Sequence, residues 1–433
     1  MRCLSETISK TKNDDAWEKL FEKYRIIEKI NKEGKFEITS AQINEFREAR
    51  LMTKFDHKNN LPKLFSKNKF SILPITRGRY VISRFEAYKN FEDINSKITK
   101  ISFPNYIESI DYKNITSEAM AINCAYVSGI ISDFLEDKKI VPTVTGRMSS
   151  SSFEFLINNV EFNKKIPLKV MNSQVEIDGG FEGKYALALL EAKNSISEDF
   201  LIRQLYYPFR LWNKKVSKEV KPIFMTYSND VFSFYEYKFT NEFEYNSLRL
   251  LKQKNYIINK EDILLEDILE ILNSVAIVKE PKVPFPQADN FKRVINLCEL
   301  LTKNNMTKDQ ITLNYDFDPR QADYYVNAGI YLGLICRKKE KNKSIYTISN
   351  LGKNIMKQNY RTRQLSFAKL ILEHKVFNYT LKLYFKKCDF PSKTEVVNIM
   401  KDSNMLNIKS EETFRRRASS IIGWINWILN LSK

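Results

Sequence analysis

The chain of 433 residues is long enough for about two to four domains, and its 43% of hydrophobic residues exclude disorder throughout. It carries 70 Lys and Arg against 52 Asp and Glu, a formal net charge of +18, which favours a polyanionic partner. No apolar run reaches the roughly 18 residues of a membrane span, and the first residues lack the apolar core of a signal peptide. We therefore expect a soluble intracellular protein with no membrane contact.

Cysteine and histidine usage narrows the possible chemistry. The five cysteines include no CxxC pair, which argues against a zinc site or a disulfide framework, and their odd number suits a reducing compartment. They are Cys3, Cys124, Cys298, Cys336 and Cys388. With only His57 and His374, reactions that need several histidines are difficult to build.

The positive charge is concentrated toward the C-terminus. Residues 288–433 contain 26 Lys and Arg but only 13 Asp and Glu, so this part carries +13 of the net +18. A basic module attached to a nearly balanced body indicates a binding region fused to another domain. A lysine-rich solvated surface is the alternative interpretation.

Residues 1–110 are predicted to form an N-terminal α+β unit. An amphipathic helix is expected over residues 14–31, a second begins with the capping box Thr39–Gln42 and runs through Arg50, and a strand pair is expected at 70–75 and 79–85. The basic residues of this unit can line a DNA-recognition edge, and ordinary surface charge explains them equally well. They are Arg47, Arg50, Lys54, His57, Arg77 and Arg79.

Residues 111–278 are predicted to form a second domain with the element order α-β-β-β-α-β-β. Its first helix is expected to begin near Ser150 and to cover residues 153–158, with Ser151–Glu154 as a capping box. The remaining elements follow in chain order: strands at 167–171, 174–181 and 184–193, a helix at 197–212 opened by the capping box 195–198, and strands at 222–227 and 231–238 joined by a tight turn.

Two carboxylates and an ammonium group are predicted to meet at one edge of this sheet. The third strand is apolar until it ends in Glu191-Ala192-Lys193, so it should be central, and strand alternation places Glu191 and Lys193 on one face. Asp178 lies on the preceding strand, at a bend that Gly179 and Gly180 permit. Such carboxylates can hold Mg²⁺, and such a lysine can orient a water for attack on a phosphodiester.

The Glu-x-Lys spacing alone carries little information, because it recurs at several other places in the chain. The apolar strand before Glu191 and the aspartate on the preceding strand distinguish this occurrence. A strand that ends in a surface ion pair is the alternative interpretation.

These residues resemble the PD-(D/E)xK nuclease superfamily, and in particular type II restriction endonucleases in which such a core is joined to DNA-binding modules. Ile177-Asp178 stands where that family has its variable Pro-Asp pair, and Glu191-Ala192-Lys193 matches its (D/E)xK motif. The resemblance covers residues 145–240. It implies that Asp178 and Glu191 bind Mg²⁺ and that Lys193 assists the nucleophilic water.

The resemblance adds Glu154 and Gln204 as candidate positions. Glu154 is expected as an additional catalytic carboxylate on the helix before the sheet, with capping of that helix as the alternative. Gln204 resembles the glutamine that some of these nucleases place behind the active site, although Pro208 stands where the exonuclease-type QxxxY motif has tyrosine. Arg203, Gln204 and Arg210 are therefore expected to serve the scaffold or to contact phosphate.

The segment 279–287 holds three of the twelve prolines and is predicted to be an extended linker. Residues 288–360 then have the pattern of a winged helix. Its expected elements are a helix at 291–301, a second capped by Thr307–Gln310, a third opened by Asp318-Pro319, and strands at 334–337 and 345–348 joined by a lysine-rich loop. Residues 361–433 are expected to form a helical domain, and a second helix-turn-helix is one interpretation of it.

The third helix of this winged helix is expected to enter the major groove of DNA. Ala322, Val326 and Gly333 are expected to face the core, which leaves Arg320, Tyr324 and Asn327 outward. Phosphate contacts are expected from the wing and from the start of the last helix. These residues are Lys338, Lys339, Lys341, Lys343, Arg415, Arg416 and Arg417. Winged helices that bind proteins are the alternative.

The expected fold class is a multidomain α/β (α+β) protein: a restriction-endonuclease-like mixed sheet flanked by helices, an N-terminal α+β unit and a C-terminal winged-helix and helical region. The expected function is that of a Mg²⁺-dependent, sequence-specific type II restriction endonuclease in the bacterial cytoplasm. Its expected partners are double-stranded DNA, a second copy of the chain and, genetically, a cognate DNA methyltransferase. The alternatives are a repair, mobile-element or RNA-processing nuclease, and a non-catalytic winged-helix regulator with a nuclease-like core.

Overall fold

The computed structural model describes residues 11–92, 94, 97–259, 261–314, 319–340, 343–403, 408 and 410–432, with the side chains of 313, 314, 319 and 320 excepted. Two compact units are present. The first holds residues 11–99, 103–227 and 232–256, and the second holds 100–102, 228–231 and 257–433. The multidomain, mixed α and β character predicted from the sequence is confirmed. Within the described ranges, no helix has the length and apolar character needed to cross a membrane.

The N-terminal part of the first unit is the predicted small α+β layer, with its strands in the order β1-β3-β2. Its elements are α1 (Lys12–Tyr24), α2 (Ile26–Glu33), β1 (Phe36–Thr39), α3 (Ser40–Asn44), α4 (Ala49–Met52), α5 (Lys63–Lys67), β2 (Ser71–Thr76) and β3 (Arg79–Ser83). The single helix expected over 14–31 is broken at Arg25, whose φ of 50° is left-handed and ends α1. The Thr39 capping box is confirmed, but α3 ends at Asn44 and does not continue to Arg50.

Aromatic side chains form the core of this layer. Trp17 and Phe65 are fully buried and pack edge to face with ring centroids 4.8 Å apart, and Phe21 lies 5.3 Å from Phe65. Trp17 also donates a hydrogen bond from Nε1 to the carbonyl of Met52 at 3.0 Å. Each such ring stabilises the fold by roughly 2–3 kcal/mol through burial, so this layer has a core of its own.

A large mixed sheet organises the rest of the first unit. The elements that follow are β4 (Tyr88–Asn90), β5 (Ile98–Ile101), α6 (Glu118–Val127), α7 (Ile130–Leu135), β6 (Val141–Ser149), β7 (Ser152–Asn158), β8 (Lys165–Met171), β9 (Gln174–Glu182), β10 (Ala186–Lys193), β11 (Asp199–Leu201), α8 (Arg203–Trp212), β12 (Glu219–Ser228), β13 (Val231–Phe239) and β14 (Leu248–Ile258). Among the described residues, seven strands pair in the order β5-β14-β13-β12-β10-β9-β6. Strand β10 runs parallel to β12 and antiparallel to β9, so it is an interior strand, as its apolar sequence predicts.

The helix predicted over residues 153–158 is wrong. These residues lie in strand β7, which pairs antiparallel with β8. Phe153, Phe155 and Ile157 are buried while the residues between them are more exposed, and this period of two is the pattern of a strand. Helices α6 and α7 lie between β5 and β6 instead, in a segment for which no element is predicted from the sequence.

The helix predicted over residues 197–212 begins later, at Arg203. The residues before it form the short strand β11, which is buried throughout and pairs with β4, so the expected capping box at 195–198 is wrong. The hairpin between β12 and β13 is confirmed. Asn229 and Asp230 both have positive φ, 54° and 62°, which is the backbone of a tight primed turn.

Glycine is required on β9 for close strand packing. A Cβ atom on Gly180 would lie 2.6 Å from the Cβ of Val144 and 2.9 Å from its carbonyl oxygen, at a register shift between β6 and β9. Neither Gly179 nor Gly180 has a positive φ. Gly180 therefore admits β6 close to β9 without adopting a left-handed backbone conformation.

The second unit is mainly helical and contains one small sheet among its described residues, in the order β15-β17-β16. Its elements are α9 (Leu265–Ser274), α10 (Phe291–Lys303), β15 (Met306–Thr307), α11 (Lys308–Asn314), α12 (Pro319–Tyr331), β16 (Ile335–Glu340), β17 (Lys343–Ile348), α13 (Asn350–Met356), α14 (Tyr360–Leu372), α15 (Lys375–Lys387), α16 (Lys393–Asp402) and α17 (Glu411–Leu429). The predicted Thr307–Gln310 capping box is confirmed by reciprocal bonds of 2.8 and 3.2 Å. Gly333 is exposed with a φ of 71°, so it follows the end of α12 and does not face the core as predicted.

The proline-rich segment 279–287 has no helix or strand, as predicted, but it is packed and is not a free linker. Phe285 is buried between Tyr331 and Phe377, with ring centroids 5.4 and 5.8 Å away. Glu280 accepts a 2.6 Å hydrogen bond from the hydroxyl of Tyr331. The segment packs as a strap within the second unit, whose long C-terminal stretch already starts at Ile257.

Candidate active site

The three residues singled out on β9 and β10 lie together in the first unit. The ladder pairs Leu190 with Gly179, which brings Asp178 beside the end of β10. Its Oδ2 accepts a hydrogen bond from the backbone N–H of Ala192 at 2.9 Å. Lys193 donates from Nζ to Glu191 Oε1 at 2.6 Å. The end of β10 therefore joins two carboxylates and one ammonium group through short contacts.

Gln204 supports Glu191 from the neighbouring helix. It lies in the first turn of α8 and donates from Nε2 to Glu191 Oε1 at 2.5 Å. Arg210 is only 1% exposed and donates to the carbonyls of Glu154 and Glu242 at 3.0 and 2.8 Å, so of its two expected roles it serves the scaffold. Arg203 lies over the ring of Tyr207, with its guanidinium carbon 5.7 Å from the centroid.

Burial and charge together set the protonation of the pair on β10. Burial raises the pKa of Glu191 to about 7 from an ordinary value near 4.5; Lys193 opposes this rise, and Asp178 and Asp56 add to it. Burial lowers the pKa of Lys193, but the carboxylates of Glu191, Asp56 and Glu118 outweigh it and hold the pKa above its ordinary value. Lys193 therefore stays charged while Glu191 titrates near neutral pH.

Two carboxylates that sequence reasoning missed belong to this cluster. Glu118, in the first turn of α6, interacts electrostatically with Lys193, Asp178 and Lys54, and burial raises its pKa. Asp56 follows α4 and interacts with both Glu191 and Lys193. The position of Glu118 could have been suspected from the sequence, because it follows Ser117, whose side chain caps the start of α6. No comparable sequence pattern points to Asp56.

Glu154 lies elsewhere. Its carboxylate is exposed on β7 and pairs with Lys169 at 3.0 Å, so the capping role predicted for it is wrong. The position expected of an additional carboxylate, on a helix before the sheet and close to Asp178, is taken by Glu118. The physical reason is the strand pattern of residues 152–158, which points Glu154 away from the buried face.

A second buried lysine–glutamate pair shows what is particular to this site. Lys221 on β12 lies 3.0 Å from Glu236 on β13, and the two pairs are similarly buried. The side chains of Lys221 and Glu236 are 24% and 9% exposed, compared with 18% and 9% for Lys193 and Glu191. The Glu191 pair differs because Asp178, Asp56 and Glu118 add their charges to it.

The donor set suits a hard cation that keeps water or phosphate ligands. In the part of the chain that the structure describes, no three His, Cys, Asp or Glu side chains already surround a common metal position. Asp178 and Glu191 offer carboxylate oxygens on adjacent strands, beside the half-buried Glu118. Mg²⁺ is commonly held by one or two carboxylates and completed by water and substrate phosphates, so these residues fit it.

Apart from the wing, the predicted DNA-contacting residues of the second unit lie on α12 and α17. Tyr324 and Asn327 are half-exposed on α12. Burial lowers the pKa of Arg417 on α17, and Tyr324 opposes this change, so Arg417 lies within electrostatic range of Tyr324. Arg415 and Arg416 are exposed, and none of the three arginines forms an ion pair with a carboxylate of the described chain.

The predicted wing is exposed along β16 and at the start of β17. Lys338, Lys339 and Lys343 are all exposed, and Arg337 donates to the hydroxyl of Tyr346 at 3.2 Å. Two of the predicted contacts, Lys341 and the side chain of Arg320, lie outside the described residues, as do the helix cap Asp318 and Cys3.

In the N-terminal layer, the predicted DNA-facing residues differ in how exposed their side chains are. Arg77 and Arg79 are exposed beside the turn between β2 and β3, and Arg50 is exposed with Glu48 at 3.1 Å. Lys54 is exposed and Arg47 is half-buried. His57 is buried and its Nδ1 donates to the carbonyl of Asp199 at 2.6 Å, so its place on a DNA-facing edge is wrong.

Three family models match consecutive parts of the chain, and each is described only as a domain of unknown function. They are DUF6996 over residues 14–82, DUF6997 over 83–257 and DUF7226 over 293–433. No curated protein and no solved structure matches the chain. The first boundary separates Asp56 from Glu118, Asp178, Glu191 and Lys193, so the cluster draws on two matched segments.

Proposed function

We propose that the protein is a Mg²⁺-dependent, sequence-specific DNA endonuclease of the type II restriction class, with Asp178, Glu191 and Lys193 as its catalytic residues. The observation that carries the proposal is the meeting of these side chains at the end of β10, with Glu191 Oε1 shared between Lys193 and Gln204. The interior position of β10 in a mixed sheet agrees with the PD-(D/E)xK fold that the motif resembles.

The chain supplies the ligands and the positioning groups for hydrolysis. Asp178 and Glu191 would hold Mg²⁺, with Glu118 as the additional carboxylate in place of Glu154. When bound, the ion supplies a Lewis acid for the scissile phosphate and favours ionisation of water. Lys193 orients the attacking water and offsets the negative charge that develops on the phosphate oxygens. Gln204 keeps Glu191 in place through its hydrogen bond.

Carboxylates outnumber ammonium groups in the cluster. Asp178, Glu191, Glu118 and Asp56 lie within electrostatic range of Lys193 or Lys54 or of one another. Such an excess of carboxylates favours a bound cation and opposes the approach of a DNA phosphate without one.

We further propose that the second unit binds double-stranded DNA as a winged helix. The chain order α10, β15, α11, α12, β16, β17 and the three-stranded sheet agree with that fold. Helix α12 would present Arg320, Tyr324 and Asn327 to the major groove, and the wing, including Lys341, would contact phosphates. The arginines at 415–417 would extend this surface, since Arg417 lies within electrostatic range of Tyr324. Arg50, Arg77 and Arg79 offer a second contact surface in the N-terminal layer.

Cleavage of both strands requires two active sites. The described part of the chain contains one such cluster, so we propose that a double-strand break calls for two copies, as a homodimer that is stable or forms on DNA. An endonuclease of this class also requires protection of the host's own sites. A cognate DNA methyltransferase is therefore proposed as the genetic partner.

A non-catalytic DNA-binding regulator is the second candidate. The observation in its favour is that the cations of α17 lack carboxylate partners in the described chain, which accounts for DNA binding without any chemistry. A repair or mobile-element nuclease would share the active site and differ in its substrate.

Incubation with plasmid and phage DNA in Mg²⁺ or EDTA tests these candidates. The wild type is compared with Asp178→Ala and with Lys221→Ala, which removes a lysine of similar burial from the same sheet. We expect discrete fragments from the wild type and Lys221→Ala in Mg²⁺, and none from Asp178→Ala. Smeared products would favour a repair or mobile-element nuclease. Binding without cleavage, on both unmodified and methylated DNA, would overturn the proposal in favour of the regulator.

A further inference from the structure

A concave site lies on the solvent face of the small sheet in the second unit. Its volume is about 280 Å³, and its walls come from the residue before β15, from β16 and β17, and from the first turn of α13. The lining residues include Asn305, Cys336, Lys338, Thr347, Asn350 and Lys353. Sites that enclose drug-sized ligands measure roughly 300–1,000 Å³, so this site suits a smaller group.

The register of the sheet determines which side chains of β16 reach the site. Cys336 pairs with Thr347 across the ladder, and both line the site. The neighbouring Ile335 is buried on the opposite face. Because side chains alternate along a strand, Lys338 shares the face of Cys336, whereas Lys339 belongs to the other face. The two adjacent lysines of the wing are therefore not equivalent.

Backbone contacts fix α13 against this sheet. Ser349 donates from its hydroxyl to the carbonyl of Gly333 at 2.6 Å and accepts from the N–H of Gly352 at 2.9 Å. A Cβ atom on Gly352 would lie 2.6 Å from the carbonyl oxygen of Leu334, so this close approach requires glycine. Lys353, the next residue, therefore has a defined backbone position beside the site.

The polar side chains of the site lack partners in the part of the chain that the structure describes. Lys338 and Lys353 are exposed and form no ion pair with a described residue. Likewise, Asn305, Asn350 and Thr347 form no side-chain hydrogen bond there. No carboxylate is among the described residues that line the site. Two ammonium groups, two carboxamides and one hydroxyl thus offer unused donors to one small space.

This donor set matches a phosphate group. Phosphate oxygens accept hydrogen bonds from several donors at once, and lysine is a common partner for their negative charge. We propose that this site, at the root of the wing, binds a phosphate group through Lys338 and Lys353. The group comes either from the backbone of bound DNA, a source that rests on the proposed function, or from a free phosphate ion, a source that does not.

The thiol of Cys336 reports whether the site is occupied. Its alkylation by N-ethylmaleimide is followed in the full-length chain by peptide mass spectrometry, with the exposed Cys388 at the end of α15 as internal reference. The two probes are inorganic phosphate, compared with acetate at equal ionic strength, and a short DNA duplex in EDTA. At a probe concentration about twice its Kd, alkylation of Cys336 should slow by roughly threefold, and that of Cys388 should not change.

Four variants identify the groups that bind the phosphate. Lys338→Gln and Lys353→Gln each remove one ammonium group and should raise the half-protecting probe concentration by roughly fivefold. Lys339→Gln removes the same charge from the opposite face of β16, and Lys357→Gln removes it from the end of α13. These two exposed controls should change that concentration by about twofold or less. Each variant is compared with and without probe, so a change in the reactivity of the thiol itself cancels.

The outcomes separate the two sources of phosphate and the two proposals. Protection by inorganic phosphate that Lys338→Gln and Lys353→Gln weaken supports the site, and it does so even if no duplex binds, a result that would overturn only the proposed DNA binding. Protection by the duplex alone, weakened in the same two variants, identifies a backbone phosphate. Duplex binding seen by fluorescence anisotropy, with no protection by either probe, overturns this inference and leaves the proposed function standing. Equal weakening in all four variants also overturns it, because net charge then explains the effect.

Discussion

The two units hold their functional charges in opposite ways. In the first unit, Lys193 and Glu191 are buried and joined at 2.6 Å, and further carboxylates surround them. In the second unit, Arg415 and Arg416 are exposed and have no carboxylate partner in the described chain. Water and salt screen buried charges only weakly, so their interactions with close neighbours are strong. Interactions between exposed charges are largely screened by salt beyond about a Debye length.

This contrast suggests a different role in the proposed reaction for each unit. The first unit should determine the rate of bond cleavage and its dependence on metal and pH. The second unit should determine affinity for DNA and its dependence on salt. Substitutions in the active-site cluster should therefore change the first set of measurements, and substitutions in the basic surface of the second unit should change the other.

The largest effect is expected for Lys193→Ala. The variant removes the only cation that contacts Glu191 among the described residues, so the cleavage rate should fall by about 10³-fold or more while affinity for DNA measured in Ca²⁺ or EDTA stays within about twofold. Single-turnover cleavage and filter binding measure the two quantities. Lys221→Ala is the matched control. An equal loss in both variants would show that sheet stability, not chemistry, was affected.

The next effect concerns stability and pH. The pKa of Glu191 is raised to about 7, so between about pH 4.5 and 7 the folded state binds a proton that the unfolded state releases. The free energy of unfolding in EDTA should therefore fall as the pH rises through this window, by about 2–3 kcal/mol relative to Glu191→Gln. Urea denaturation at several pH values measures it. Parallel curves for wild type and variant would contradict the raised pKa, and Glu236→Gln controls for removal of a buried carboxylate.

A smaller effect, confined to binding, is expected from the triple substitution of Arg415, Arg416 and Arg417 by Gln. The loss of about three phosphate contacts should lower the slope of log K against log salt by about 2–3 and weaken binding by roughly tenfold or more near physiological salt. The metal dependence of cleavage at saturating DNA should not change. A triple substitution of the exposed lysines Lys369, Lys382 and Lys386 by Gln removes the same charge from α14 and α15. If the slope of log K against log salt falls by the same amount in both triple variants, the effect comes from net charge and not from a defined DNA-binding surface.

The smallest effect is expected from the double substitution of Lys338 and Lys339 by Gln on the wing. Two exposed phosphate contacts fewer should weaken binding several-fold and lower the salt slope by about 1–2. The matched variant carries Gln at Arg77 and Arg79, two exposed residues beside the β2–β3 turn. A larger loss from the Arg77 and Arg79 variant would move the main DNA contact from the second unit to the N-terminal layer.

Several elements could be predicted because their causes lie within a few residues. The apolar run that ends in Glu191-Ala192-Lys193 indicated an interior strand, and β10 is one. The capping boxes at Thr39 and Thr307 indicated helix starts that the structure confirms. Local rules also misled where two of them competed: the capping-box pattern at 151–154 suggested a helix, but the alternating burial of residues 152–158 produced a strand.

Which residues end β10 and how their side chains alternate could be predicted from the chain, because strand geometry depends only on neighbours along it. That Glu118 and Asp56, and not Glu154, carry charges within electrostatic range of Lys193 follows from the packing of distant elements. Tertiary packing also decided that the segment around Phe285 is a strap. The contact between Asp56 and Leu201 joins residues far apart in sequence, and such contacts arise from the packing of whole elements, which no short pattern encodes.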